Sequence, residues 1–127
     1  MRLKLILALA LLVAVAALAA CGGGDDEADK VEQTARAVTT DKTAVCERLT
    51  TTALAAYARK RGAKALSICE RKVKNDNFPT SADIEVVNVA GNQASVGYRT
   101  SDDITGAMTL RKVNGRWLMN QVVSIAP

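Results

Sequence analysis

Ile104–Ile125 reads ITGAMTLRKVNGRWLMNQVVSI, two alternating segments on either side of Asn114-Gly115. An Asn-Gly pair between alternating apolar runs is a strong hairpin signal, because both residues tolerate the positive φ that a two-residue turn demands. Ile104–Val113 and Arg116–Ile125 are therefore expected to pair as strands. Upstream, Ala82–Ala90 and Gln93–Thr100 alternate in the same way, with short joints at Gly91-Asn92 and Ser101-Asp102-Asp103. Four strands joined so briefly predict an antiparallel meander. On the last strand, alternation places Trp117, Met119, Gln121, Val123 and Ile125 on one face, with Gln121 the polar interruption.

Before Pro79 the period changes. Val31, Ala35 and Val38 recur at helical spacing within Ala28–Thr40. Asp41 then offers a cap for a second helix running to about Arg61, where Arg59, Lys60 and Arg61 suit the negative dipole end and Gly62 the left-handed stop. Ala63–Lys74 is expected as a third helix, broken at Asn77, Phe78 and Pro79. Helices first and a meander after them predict an α+β fold, the helices packed on one face of the sheet.

The chain begins Met1, Arg2, Leu3, Lys4 and continues without charge from Leu5 to Leu18. A basic start before a short apolar run has the layout of a secretory signal, whereas crossing a bilayer takes roughly 20 apolar residues. Leu18, Ala19, Ala20 and Cys21 resemble the lipobox of bacterial lipoproteins. That resemblance implies cleavage before Cys21 and attachment of diacylglycerol to its sulfur. The expected organisation is a leader over 1–20, a lipidated cysteine with a glycine-rich acidic tether over 21–29, and one domain over 30–127. The product would be exported and anchored to the outer face of the cell membrane.

Loss of the leader removes two basic residues and lowers the formal charge from +4 to +2. So small a surplus, with Tyr57, Phe78, Tyr98 and Trp117 the only aromatics, offers no stacking platform for a nucleic acid. With Cys21 committed to lipid, Cys46 and Cys69 are the remaining pair in an oxidising compartment. Cys46, Leu49, Ala53 and Tyr57 share helical spacing, as do Leu66, Cys69 and Val73, so both sulfurs are expected to face one interior and bond. Two buried thiols are the alternative. No metal site is expected, since the chain contains no histidine.

Helices followed by a curved meander, together with the Cys46/Cys69 pair, resemble the exported lipoproteins of the nuclear transport factor 2-like (cystatin-like) superfamily. Membership implies a cone-shaped domain whose sheet wraps a helix and can enclose a pocket, with an open cavity not implied; it implies no activity, because the fold hosts isomerases, dehydratases and binding modules alike. Catalytic members place an Asp, His or Tyr in the cone. Here histidine is absent, Asp102 and Asp103 read as turn residues, and Asp83 and Glu85 as solvated edge residues.

Tyr57, Tyr98, Trp117 and Gln121 are the candidate pocket residues. Hydration of Gln121 near a sheet end is the alternative. The basic residues Arg59, Lys60, Arg61, Lys64, Arg71, Lys72 and Lys74 are largely accounted for by helix ends, with anionic lipid or an envelope polymer as the other reading. The expected protein is a non-catalytic binder of a small ligand or envelope partner, with no cofactor. A structural envelope module and a small acid–base enzyme follow as alternatives, and the oligomeric state is left open.

Overall fold

The alternation downstream of Pro79 builds one sheet, and in a computed structural model its strands are Ala82–Ala90 (β1), Gln93–Thr100 (β2), Thr105–Val113 (β3) and Arg116–Ile125 (β4). They pair antiparallel in the order β1-β2-β3-β4. The structure describes residues 26–125; the expected leader, Cys21 and the first part of the tether lie outside them. Asn114 and Gly115 both take positive φ, 50° and 77°, as the two-residue hairpin requires. Asp103 also has positive φ, and its carboxylate accepts from Arg99 at 3.2 Å, in keeping with a turn role.

Among the described residues, three α-helices precede the sheet: α1 over residues 26–40, α2 over Thr51–Ala58 and α3 over Lys64–Asn75. The arrangement is α+β. Val31 and Ala35 of α1 are fully buried against Val96, Met108, Leu110 and Trp117 of the sheet, within a single core. The Cys46–Cys69 disulfide ties the short 3₁₀ turn Val45–Arg48 to α3, with a Cα–Cα separation of 6.0 Å.

Three local readings are corrected. The second helix does not run from Asp41 to Arg61. The Asp41 carboxylate accepts from the backbone and hydroxyl of Thr43, closing a local turn, and Leu49 adopts extended backbone. Thr50 then donates its N–H to the carbonyl of Met119 at 2.9 Å and caps α2 by accepting from the N–H of Ala53. Pairing with the edge strand therefore overrides helix propensity at Leu49-Thr50. The left-handed stop of α2 falls on Arg59 (φ 53°) rather than on Gly62, which instead opens α3 by accepting from the N–H of Ala65.

β4 does not alternate along its whole length. Thr109 pairs with Gln121 but Leu110 pairs with Met119, so Asn120 is an extra residue and forms a bulge. Beyond a bulge the alternation changes phase. Val122 now lies opposite the buried Met108, whereas Gln121 and Val123 lie opposite Thr109 and Ala107 on the solvent face. The expected stripe from Trp117 to Ile125 is thus broken after Met119. A second bulge at Val87 sets β1 in register with β2. Bulges bend and twist the strands that carry them, and the sheet curves around the helices accordingly.

Candidate ligand-binding groove

Between α1, α2, α3 and the curved sheet lies a groove of about 660 Å³. Its wall is mostly aliphatic, with Val38, Val45, Leu49, Ala53, Val73 and Val122 among the contributors, and Cys69 brings the disulfide into it. The polar side chains are Thr52, Tyr57, Asn120 and Gln121. A second lobe of about 400 Å³ shares Val38, Tyr57, Phe78, Met119 and Val122 with the first and reaches Tyr98, Thr100 and Asp76. An apolar hollow with few polar groups is the usual form of a small-molecule site.

The bulge shapes this groove. Leu49 and Thr50 pair with β4 beside Asn120, and the Thr50 hydroxyl donates to Asn120 Oδ1 at 2.9 Å. Asn120 therefore has a defined orientation at the wall, fixed by a buried threonine. Val122, brought to the inner face by the phase change, stays 45% exposed because it forms wall rather than core.

Tyr57 lies where the lobes meet. Its hydroxyl donates to the Asp76 carboxylate, and Lys72 Nζ sits 4.7 Å from the ring centre while donating to the Tyr57 carbonyl at 2.7 Å. Partial burial, followed by the neighbouring Asp76 carboxylate, pushes the Tyr57 hydroxyl pKa up to about 12. Such a phenol holds its proton throughout the neutral range. Among the described residues, Asp76 is the one carboxylate that lines either lobe.

Of the four candidate residues, Tyr57 lines both lobes, Tyr98 the second and Gln121 the first. Gln121 is exposed, in line with a hydrated amide at the groove mouth. Trp117 is not brought together with them. It is 3% exposed at the hairpin end of β4, where its indole N–H donates to Glu27 at 2.8 Å and Lys112 reaches the same carboxylate at 3.1 Å.

Glu27 was not expected in the fold at all, because it falls within the assumed 21–29 tether. The described chain is already helical at residue 26. Glu27 stands one helical turn before Val31, on the face that continues through Ala35 and Val38, and an acid in the first turn suits the helix dipole. Those two signals mark it in the sequence. Thr34 extends the same contact, its hydroxyl donating to the Trp117 carbonyl at 3.4 Å.

Hydrogen bonds from Lys112 and then Trp117 hold the Glu27 carboxyl below its ordinary value near 4.5. The ionised form is favoured in the fold, so this contribution to stability is present above pH 4.5 and is lost as pH falls through the lower folded value. Glu27→Gln is expected to melt below wild type at pH 7, and the gap should close towards pH 3. A gap unchanged between those pH values, followed by circular dichroism, would contradict the ionic latch.

Among the described residues, no group of three or more His, Cys, Asp or Glu side chains is placed to hold a metal ion. Within the same residues, no helix is long and apolar enough to cross a membrane. No family model, no curated protein and no solved structure matches the chain.

Proposed function

We propose that this chain is an exported, lipid-anchored lipoprotein whose domain, of the nuclear transport factor 2-like kind, binds a small and largely apolar ligand without transforming it. The observation that carries the reading is the two-lobed groove, aliphatic along its walls and polar at Thr52, Tyr57 and Asn120. The bonded Cys46–Cys69 pair supports an oxidising compartment and hence export. Tyr57 supports binding over proton transfer, since a general acid works best with a pKa near the operating pH and this hydroxyl lies at about 12.

Such a ligand slides between the helices and β4, its apolar body against Val38, Leu49 and Val122 and a polar end against the Asn120 amide. Val122→Arg tests this directly, because Val122 is already 45% exposed and tolerates a larger side chain without disturbing the core. Losing one aliphatic wall contact is worth about 1.5 kcal/mol, or roughly tenfold in affinity. In a thermal-shift screen of aliphatic and aromatic compounds, ligands that stabilise wild type should need about tenfold higher concentration on Val122→Arg. Compounds that stabilise both chains equally would place binding elsewhere and refute the groove.

A further inference from the structure

Residues 59–76 hold seven lysines and arginines against Glu70 and Asp76, while residues 26–58 and 77–125 together carry more acid than base. The excess is concentrated where α2 turns into α3. Four ion pairs occur among the described residues, and their cations are Lys30, Arg36, Arg99 and Lys112. None comes from the α2–α3 corner. Arg59, Lys60, Arg61 and Lys64 are all exposed there, and none of them pairs with a carboxylate among the described residues.

Stability of the helices does not account for this placement. Cations after α2 suit its negative end, but the same residues crowd the start of α3, the positive end of that helix. The first turn of α3 contains no acid, and its cap, Ala63, has no side chain to accept a hydrogen bond. Lys60, Arg61 and Lys64 therefore repel both one another and the dipole beside them. A surface that keeps such repulsion is suited to an external anion.

The same corner has an apolar floor. A cleft of about 1000 Å³ separates α2 from the beginning of α3, floored by Leu54, Ala55, Ala56 and Ala65 and rimmed by Arg59, Lys60 and Arg61. Leu66, next along α3, is 40% exposed. The left-handed backbone at Arg59 turns the Arg-Lys-Arg run away from the axis of α2. Cations around an exposed aliphatic patch match the phosphate and glycerol layers of an anionic bilayer, where each Lys or Arg adds to the attraction.

We infer that the α2–α3 corner is a second membrane contact, seating the domain against an anionic bilayer surface beside which the lipid anchor holds it. The inference rests on the lipid-anchored reading for its proximity to a membrane. Its charge and shape are independent of that reading.

The test uses the full chain as isolated from membranes, reconstituted in vesicles of phosphatidylcholine alone or with phosphatidylglycerol, and followed by amide hydrogen exchange. Flotation with neutral vesicles reports the anchor separately. Exchange at residues 59–66 should slow about fivefold or more on phosphatidylglycerol vesicles relative to neutral ones. The protection should vanish in 1 M salt, where the screening length falls to about 3 Å. It should vanish equally in the Arg59→Gln/Lys60→Gln/Arg61→Gln chain, whose surface substitutions leave the core intact. Equal exchange on both vesicle types, or protection by soluble polyphosphate but not by phosphatidylglycerol, would overturn the contact even where neutral flotation succeeds. A chain that fails to float on neutral vesicles yet shows the charged-vesicle protection would support the contact and refute the anchor.

Discussion

The Cys46→Ala/Cys69→Ala chain will melt about 15 °C below wild type. The bridge closes a loop of 23 residues, which in the chain-entropy account is worth about 3 kcal/mol. For a domain near 100 residues each kcal/mol moves the midpoint by about 4–8 °C. The effect is large because the bridge ties a turn only four residues long to α3. Val45–Arg48 has no side-chain cap, and besides burial of Val45 and Leu49 and the Val45 N–H bond to the Asp41 carbonyl, the Leu49-Thr50 pairing with β4 fixes the segment. Loss of the bridge should therefore loosen the groove wall formed by Val45, Leu49 and Cys69 as well as lower the midpoint. Thermal melts by circular dichroism decide the point. A shift under about 5 °C would show that packing alone fixes the turn.

Gly106→Ala will destabilise the domain, against the expectation from backbone propensity. Glycine in a strand costs about 0.5–1 kcal/mol relative to alanine, so an unconstrained replacement stabilises. At Gly106 a Cβ would stand 2.6 Å from Cζ of Tyr98 and 2.6 Å from the carbonyl oxygen of Val123. Tyr98 is Gly106's cross-strand partner, and its ring occupies the space that a side chain would fill. Neither neighbour yields easily, since one is a buried ring and the other is backbone. A loss of about 2 kcal/mol is expected, the usual scale of overpacking. Gly97→Ala is the matched control: a Cβ there meets nothing within 4 Å, and that chain should be neutral or stabilised by about 0.5 kcal/mol. Urea titrations should show a lowered midpoint for Gly106→Ala and an unchanged or raised one for Gly97→Ala. Two stabilised variants would mean that Tyr98 does not lie over Gly106.

The sheet was legible because its signals are local. Asn114-Gly115 fixes a hairpin through φ alone, and three of the four strands fall at the expected bounds, β3 starting one residue later. The split of the second helix was not legible. Val45 to Ala58 is apolar enough for a continuous helix, and the break depends on Leu49-Thr50 meeting Met119 some 70 residues later. Gln121 shows the same limit. Strict alternation put it with Trp117, and only the spacing of Trp117, Met119 and Val122, two residues and then three, hints at the bulge that turns it outward. Trp117 was misplaced for a related reason. An aromatic on the inner face suits a pocket or a core equally, and Glu27, whose carboxylate captures the indole, sits in a stretch whose composition reads as tether.

Lipidation of Cys21, as proposed, would set an oxidising compartment for the Cys46–Cys69 bridge and place a bilayer beside the α2–α3 corner. Two acyl chains make anchoring stable where one does not. Intact mass spectrometry of the chain isolated from membranes is the direct measurement. The predicted result is a species beginning at Cys21 with the added mass of a diacylglycerol thioether, absent from Cys21→Ser. A chain beginning at Met1 and bearing no lipid would contradict it.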